Sequence, residues 1–300
     1  MRGIIQTRSG LLVALVALGL TAGCSMGWKQ GWKLDGEIPM KGSPDAEALR
    51  HAARAADAQA VSREGVEVEV RAWKDVLRAV PEDYEALWNL SSAYTLLGAG
   101  YARSIGEKGE FYRKALQSAE RAMALDEGFR NRINLGAETW DAIEVLPAAR
   151  ADAIGWWATA VMRMYNECLS GVVQETRKVW QDRDVKVLAH LQALAPAWGG
   201  SLAIYDRAVT AATMPKRAGG DLARAATLFD EAIAASPDSL RNLWGRARYL
   251  ATEKGDKEGF HKDLERVVGQ DPKAVPGPYG WAFLFQREAA DLLAHDSYWF

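Results

Sequence analysis

The stretch DLARAATLFDEAIAASP, residues 221–237, decides how the chain folds. Its residues are mostly good helix formers, and its apolar side chains recur at three- and four-residue spacing, the period of one helical face. Ala225 and Ala232 are small where a partner helix would press closest. Phe229 between them is large enough to fill the gap, and Pro237 cannot continue the helix. Together these four residues describe one helix packed on a neighbour and then stopped.

The arrangement recurs outward from there. Phe260-x3-Leu264 with Pro272 repeats the spacing with bulkier residues, about one period of ~34 residues further on. Nearer the start, Trp73 and Pro81 keep the Phe-to-Pro interval, with Glu69 at the small position. A matching first helix is legible in Leu87-x2-Leu90-Ser91-x2-Tyr94 and in the spacing of Trp198 and Tyr205. These patterns resemble the two halves of the tetratricopeptide (TPR) repeat. The expected fold class is therefore all-α, with TPR-like helical repeats stacked into one domain over 44–300 and extra non-TPR helices in the middle.

In two of the pairs, the step from the first-helix tyrosine (Tyr94, Tyr205) to the second-helix alanine (Ala115, Ala225) is longer than a regular repeat. The surplus is either two related protrusions, 98–111 and 213–220, or longer helices with a loose loop. Ala151 to Val185 reads as one or two long helices, and Tyr279 to Ala294 as the last. Breaks are expected at Pro81, Gly98, Pro147, Pro196, Gly219-Gly220, Pro237 and Pro272.

At the N-terminus, Arg2 and Arg8 flank the start of an apolar run over 11–20. As a helix that run reaches ~15 Å, too short for a ~30 Å hydrocarbon core, which is the pattern of a secretory signal. Thr21-Ala22-Gly23-Cys24 resembles the lipobox of bacterial lipoproteins. The resemblance implies removal of residues 1–23 as a signal peptide, acylation of Cys24 by chains such as palmitate, and a membrane anchor there. Ser25 in place of Asp implies export to the outer membrane. Residues 24–43, with Trp28, Trp32 and Pro39, read as a tether. Cys168 lies in an apolar helical pattern and is expected to be a buried small hydrophobe.

The formal net charge is -2, and residues 1–23 contain two arginines and no acid. A mildly acidic chain without a basic stripe is not expected to bind nucleic acid. His51, His190, His261 and His295 are too far apart for metal-ligand spacing. No serine elbow, Walker loop or dinucleotide glycine pattern occurs, and acidic pairs such as Glu67 and Glu69 read as solvated faces. No enzyme, metal or cofactor is expected. The unusual feature is twelve tryptophans, a residue suited to interfaces and ligand clefts. Trp156, Trp157, Trp180 and Trp198 fall in the middle region. As neighbours on a helix, Trp156 and Trp157 point about 100° apart, so one can be buried while the other faces a cleft.

Four stretches then occur in order: Ile154-Gly155-Trp156-Trp157, Trp198-Gly199-Gly200, Met214-Pro215 followed by Gly219-Gly220-Asp221, and Ala225, Phe229 and Pro237. This order resembles the T component of the TPR-associated tripartite ATP-independent periplasmic (TRAP) transporters, the TatT-like lipoproteins. The resemblance implies a lipid-anchored periplasmic helical protein that docks a TRAP substrate-binding protein. It implies a homotrimer as a possible assembly, and a cleft or pore for hydrophobic ligands such as organic acids. The shorter glycine segment after Trp198 departs from the family pattern. The expected ligand- or pore-facing set is Trp156, Asn166, Trp198 and Tyr205, with Gly219, Gly220 and Asp221 as a motif. Two functions are consistent with these readings: an accessory component of a TRAP-type uptake system, or a general TPR scaffold lipoprotein of an envelope or outer-membrane assembly with no small-molecule ligand.

Overall fold

Helix starts in this chain are written in Asp and Ser, whose short side chains accept from the unpaired N–H groups of a first turn. Asp45, Ser62, Asp83, Ser104, Asp126, Asp221 and Asp256 each do so in the structure, a computed structural model describing residues 45–169, 179–214, 216 and 219–300. The expected signal peptide, Cys24, the tether and Pro215 lie outside the described residues.

In chain order the first helices are α1 (Ala46–Asp57), α2 (Arg63–Ala79), α3 (Tyr84–Leu96), α4 (Ile105–Met123), α5 (Glu127–Asn134), the single turn α6 (Thr139–Ala142) and α7 (Ala151–Cys168). After them come α8 (Val179–Leu194), α9 (Trp198–Thr213), α10 (Leu222–Ala235), α11 (Leu240–Gly245), α12 (Lys257–Gly269) and α13 (Tyr279–Ala294). Among the described residues there is no strand, and the fold is all-α. No helix there is long and apolar enough to cross a membrane.

Consecutive helices pack on one another: α1 on α2, α3 on α4, α9 on α10 and α12 on α13, with α7 laid across α3 and α4. Alanines stand at the close approaches, Ala115, Ala119, Ala225 and Ala232 all fully buried. Trp73, Tyr112, Phe229 and Phe260 fill the space between. The last helix returns to the early part of the chain, where Trp281 Nε1 donates to Ser92 Oγ at 3.2 Å and Arg287 Nη2 to the Gly100 carbonyl at 2.9 Å.

The structure corrects four expectations. Residues 98–111 form no protrusion: α3 continues through a π-helical turn, Leu97–Tyr101, and α4 begins at Ile105. The surplus residues lengthen two helices, and Gly98 is buried inside the π turn rather than ending a helix. Glu69 is not solvated. It is 2% exposed, and burial pushes its carboxyl well above the usual carboxylate range, with the nearby Asp57 adding to the shift. Glu67, by contrast, pairs with Arg63 at 3.0 Å near the surface. Cys168 is half-buried at the end of α7, with Sγ 4.0 Å from the Ile105 carbonyl oxygen. Elsewhere, α13 spans the expected Tyr279–Ala294, and the Ala151–Val185 segment is two helices, of which the second runs on to Leu194.

Candidate functional site: a tryptophan-walled cavity

Trp156 and Trp157 are adjacent on α7, so the helix must turn one of them away from the other. Trp157 points into the core, where its Nε1 donates to Glu120 at 3.1 Å. Burial pushes the Glu120 carboxyl up to about 8, against the opposing pull of the Trp157 and Thr139 hydrogen bonds. Trp156 points the other way and lines a cavity of about 1310 Å³. That volume exceeds the usual range for small-molecule pockets, ~300–1,000 Å³.

The aromatic wall is built from three helices. Trp156 stacks on Trp281 of α13 with ring centroids 5.5 Å apart and meets Trp198 of α9 edge-on at 5.6 Å. Offset and edge-to-face pairs of this kind contribute ~0.5–1.5 kcal/mol each beyond their buried area. Trp198 is fixed at both sides. Its Nε1 donates to Asp152 Oδ1 at 2.9 Å, and its six-membered ring lies against Gly155, where any Cβ would overlap it. The Gly155-Trp156-Trp157 and Trp198-Gly199-Gly200 motifs therefore act as one packing unit.

The backbone just after Trp198 is unusual. Gly199, Gly200 and Ser201 have φ of 55°, 70° and 61° in succession, a left-handed turn at the head of α9. Two of the three positions are the residue that takes such angles at no steric cost. Ser201, which is not glycine, is held by its Oγ 3.0 Å from Ser236 Oγ. The Gly200 carbonyl accepts from Asn242 Nδ2 at 2.9 Å. One turn further along α9, Tyr205 is buried edge-on to Phe229, centroids 6.1 Å apart, and still reaches the cavity wall.

Polar groups converge on the same space. Arg163 donates to Glu167 at 2.8 Å, and Glu167 also accepts from Lys108 Nζ at 2.6 Å and the Tyr112 hydroxyl at 2.8 Å. Burial opposes the charge of Arg163, but Glu167 outweighs it and holds the guanidinium above its ordinary pKa. Asp206 of α9 lies beside the buried Asp184 of α8, and burial raises both carboxyls.

All four expected residues, Trp156, Asn166, Trp198 and Tyr205, thus border one cavity, Asn166 at its exposed rim. Gly219, Gly220 and Asp221 do not line it. Gly219 takes φ of 99°, and Asp221 caps α10 by accepting from Ala223 and Arg224 N–H, so the motif shapes a turn into a helix. Sequence reading missed Trp281, Trp244, Phe285 and Arg241, which also line the cavity. The tryptophan count was the one signal for the first two. Among the described residues no cluster of His, Cys, Asp or Glu could hold a metal ion.

The fold and site define an all-α protein whose middle and C-terminal helices enclose an aromatic cavity. Compared with known families, residues 107–300 match the model for the TRAP transporter T-component, and the chain belongs to that family. Membership makes it a TRAP transporter component, a transport accessory, and the match covers Trp156, Trp198 and Trp281 of the aromatic wall. No curated protein matches the chain.

Proposed function

We propose that this chain is the lipid-anchored periplasmic accessory component of a TRAP-type uptake system, docking a substrate-binding protein and holding a small hydrophobic organic acid. The observation that carries the reading is the cavity: about 1310 Å³, walled by Trp156, Trp198 and Trp281, with charged and polar side chains also on its lining. A scaffold that only grips peptides needs a groove on its surface and has no use for so large an aromatic interior. Acylation at Cys24 anchors the chain, on the outer membrane by the character of Ser25. The stacked helix pairs serve as TPR-like units for partner docking, and a homotrimer is the assembly in which three such cavities would act together.

The test is affinity capture of the full-length lipidated chain from native membranes, with co-purified proteins identified by mass spectrometry. Recovery of a TRAP-type substrate-binding protein is the expected result. Recovery of envelope-assembly proteins alone, with no solute receptor, would leave the general TPR scaffold as the function.

A further inference from the structure

Arg241 stands in the first turn of α11, with its side chain against the cavity. Two neighbouring arginines are paired with carboxylates: Arg163 with Glu167, and Arg246 with Asp263 at 2.7 Å. Arg241 has none. Among the described residues no carboxylate forms an ion pair with its guanidinium, Asp206 acting on it only from beyond that distance, and its Nε is buried without a hydrogen-bond partner. Its one close partner is the face of the Tyr205 ring, 5.3 Å from Cζ. Burial lowers its pKa to about 10, so the group stays charged at neutral pH. A desolvated charge without an ion-pair partner is costly to hold, and a ligand carboxylate would lower that cost.

The surrounding chain is shaped to hold this cation in place. A Cβ at Gly199 would stand 2.8 Å from Arg241 Nη2, so the left-handed turn after Trp198 leaves the space that the guanidinium occupies. One helical turn from Arg241, Trp244 also lines the cavity, and its Nε1 is buried without an acceptor. Residues three apart on a helix share a face, so two unsatisfied donors are presented side by side. The tryptophan wall lines the same cavity.

We propose that Arg241, with the indole N–H of Trp244 beside it, is the anion-recognising end of the cavity, and that the ligand is a monocarboxylate whose apolar body lies against Trp156, Trp198 and Trp281. The inference rests on the reading of the cavity as a ligand site and adds the residue that selects the headgroup. A planar carboxylate matches the guanidinium fork. A doubly charged phosphate fits less well, because the other lining cation, Arg163, is already held by Glu167, and Asp152, Asp206 and Asp238 also line the cavity.

The experiment compares 4-phenylbutanoate with 4-phenylbutan-1-ol, two probes with one skeleton and different headgroups, by titration calorimetry on the full-length chain in detergent. The wild type is expected to bind the acid about 10- to 100-fold more tightly than the alcohol, the range for hydrogen bonds to a charged group. Arg241→Gln loses that preference, Arg241→Lys recovers part of it, and Trp244→Phe weakens the acid several-fold with a smaller effect on the alcohol. Because Arg241→Gln removes an unpaired buried charge, its thermal unfolding without ligand is expected at or above the wild-type temperature. An acid preference that survives in Arg241→Gln overturns the proposal and leaves the cavity reading intact, as does equal binding of both probes by the wild type. Binding of neither probe to the wild type overturns the cavity reading itself.

Discussion

Gly155→Ala puts the packing of Trp198 to a test whose sign is opposite to what helix propensity alone would give. In the interior of α7 an alanine should be more favourable than glycine by ~1 kcal/mol. A Cβ at position 155 would, however, lie against Cη2, Cζ3 and Cε3 of Trp198, roughly 1 Å or more inside the ~3.5 Å separation of touching carbons. Trp198 has little room to yield, being tied to Asp152 at 2.9 Å and set edge-on to Trp156 at 5.6 Å. Overpacking a core costs ~1–3 kcal/mol, and loss of a hydrogen bond to a charged group adds ~1.5–3 kcal/mol. After the propensity gain, a net destabilisation of about 2–4 kcal/mol is expected, read from urea unfolding by far-UV circular dichroism. In a Trp198→Ala background the same substitution should be neutral or stabilising by up to ~1 kcal/mol. A Gly155→Ala protein as stable as wild type, or more so, would refute this packing.

Two further substitutions probe buried charge. The Glu120 carboxyl is raised by burial to about 8 from an ordinary value of 4.5, so the folded protein keeps a proton there that the unfolded chain releases. Its stabilising contribution is full below about pH 4.5 and is lost as pH rises toward about 8. The Glu120→Gln protein, which still offers Trp157 an acceptor oxygen, should lose less stability than wild type across that window in denaturant unfolding at stepped pH. Equal losses would show that Glu120 is ionised when folded. Arg246 donates to both oxygens of the buried Asp263 at 2.7 Å and to Asp230 at 2.6 Å, joining α10, α12 and the π-helical continuation of α11. Removing one partner of a buried pair costs ~3–5 kcal/mol, and Arg246→Ala should fall near the lower end because its side chain is 28% exposed. A loss under ~1 kcal/mol, the value of a surface pair, would mean that the pair is solvated.

Much of the helical framework was legible because it depends on local pattern. Ala225, Phe229 and Ala232 point into the core as their spacing requires, and Asp221 stops the preceding loop where a helix cap belongs. What escaped the pattern depends on partners distant in the chain. Glu69 on an amphipathic helix looks like any solvated carboxylate until α1 covers it. Gly98 looked like a helix stop, yet it is the residue that lets the Tyr112 ring lie against the π turn. The site divides the same way. Trp156 and Trp198 belong to recognisable motifs, whereas Arg241, Trp244 and Trp281 join them only because α11 and α13 return to the cavity. That Arg241 forms no ion pair carries no mark in a sequence with 37 Lys and Arg.

The most direct measurement of the central claim is sedimentation velocity of the purified chain mixed with the TRAP-type substrate-binding protein from the same cell. If the chain is the docking component of that system, a saturable complex of fixed stoichiometry forms and sediments faster than either protein alone. Two independently sedimenting species at every mixing ratio would contradict it.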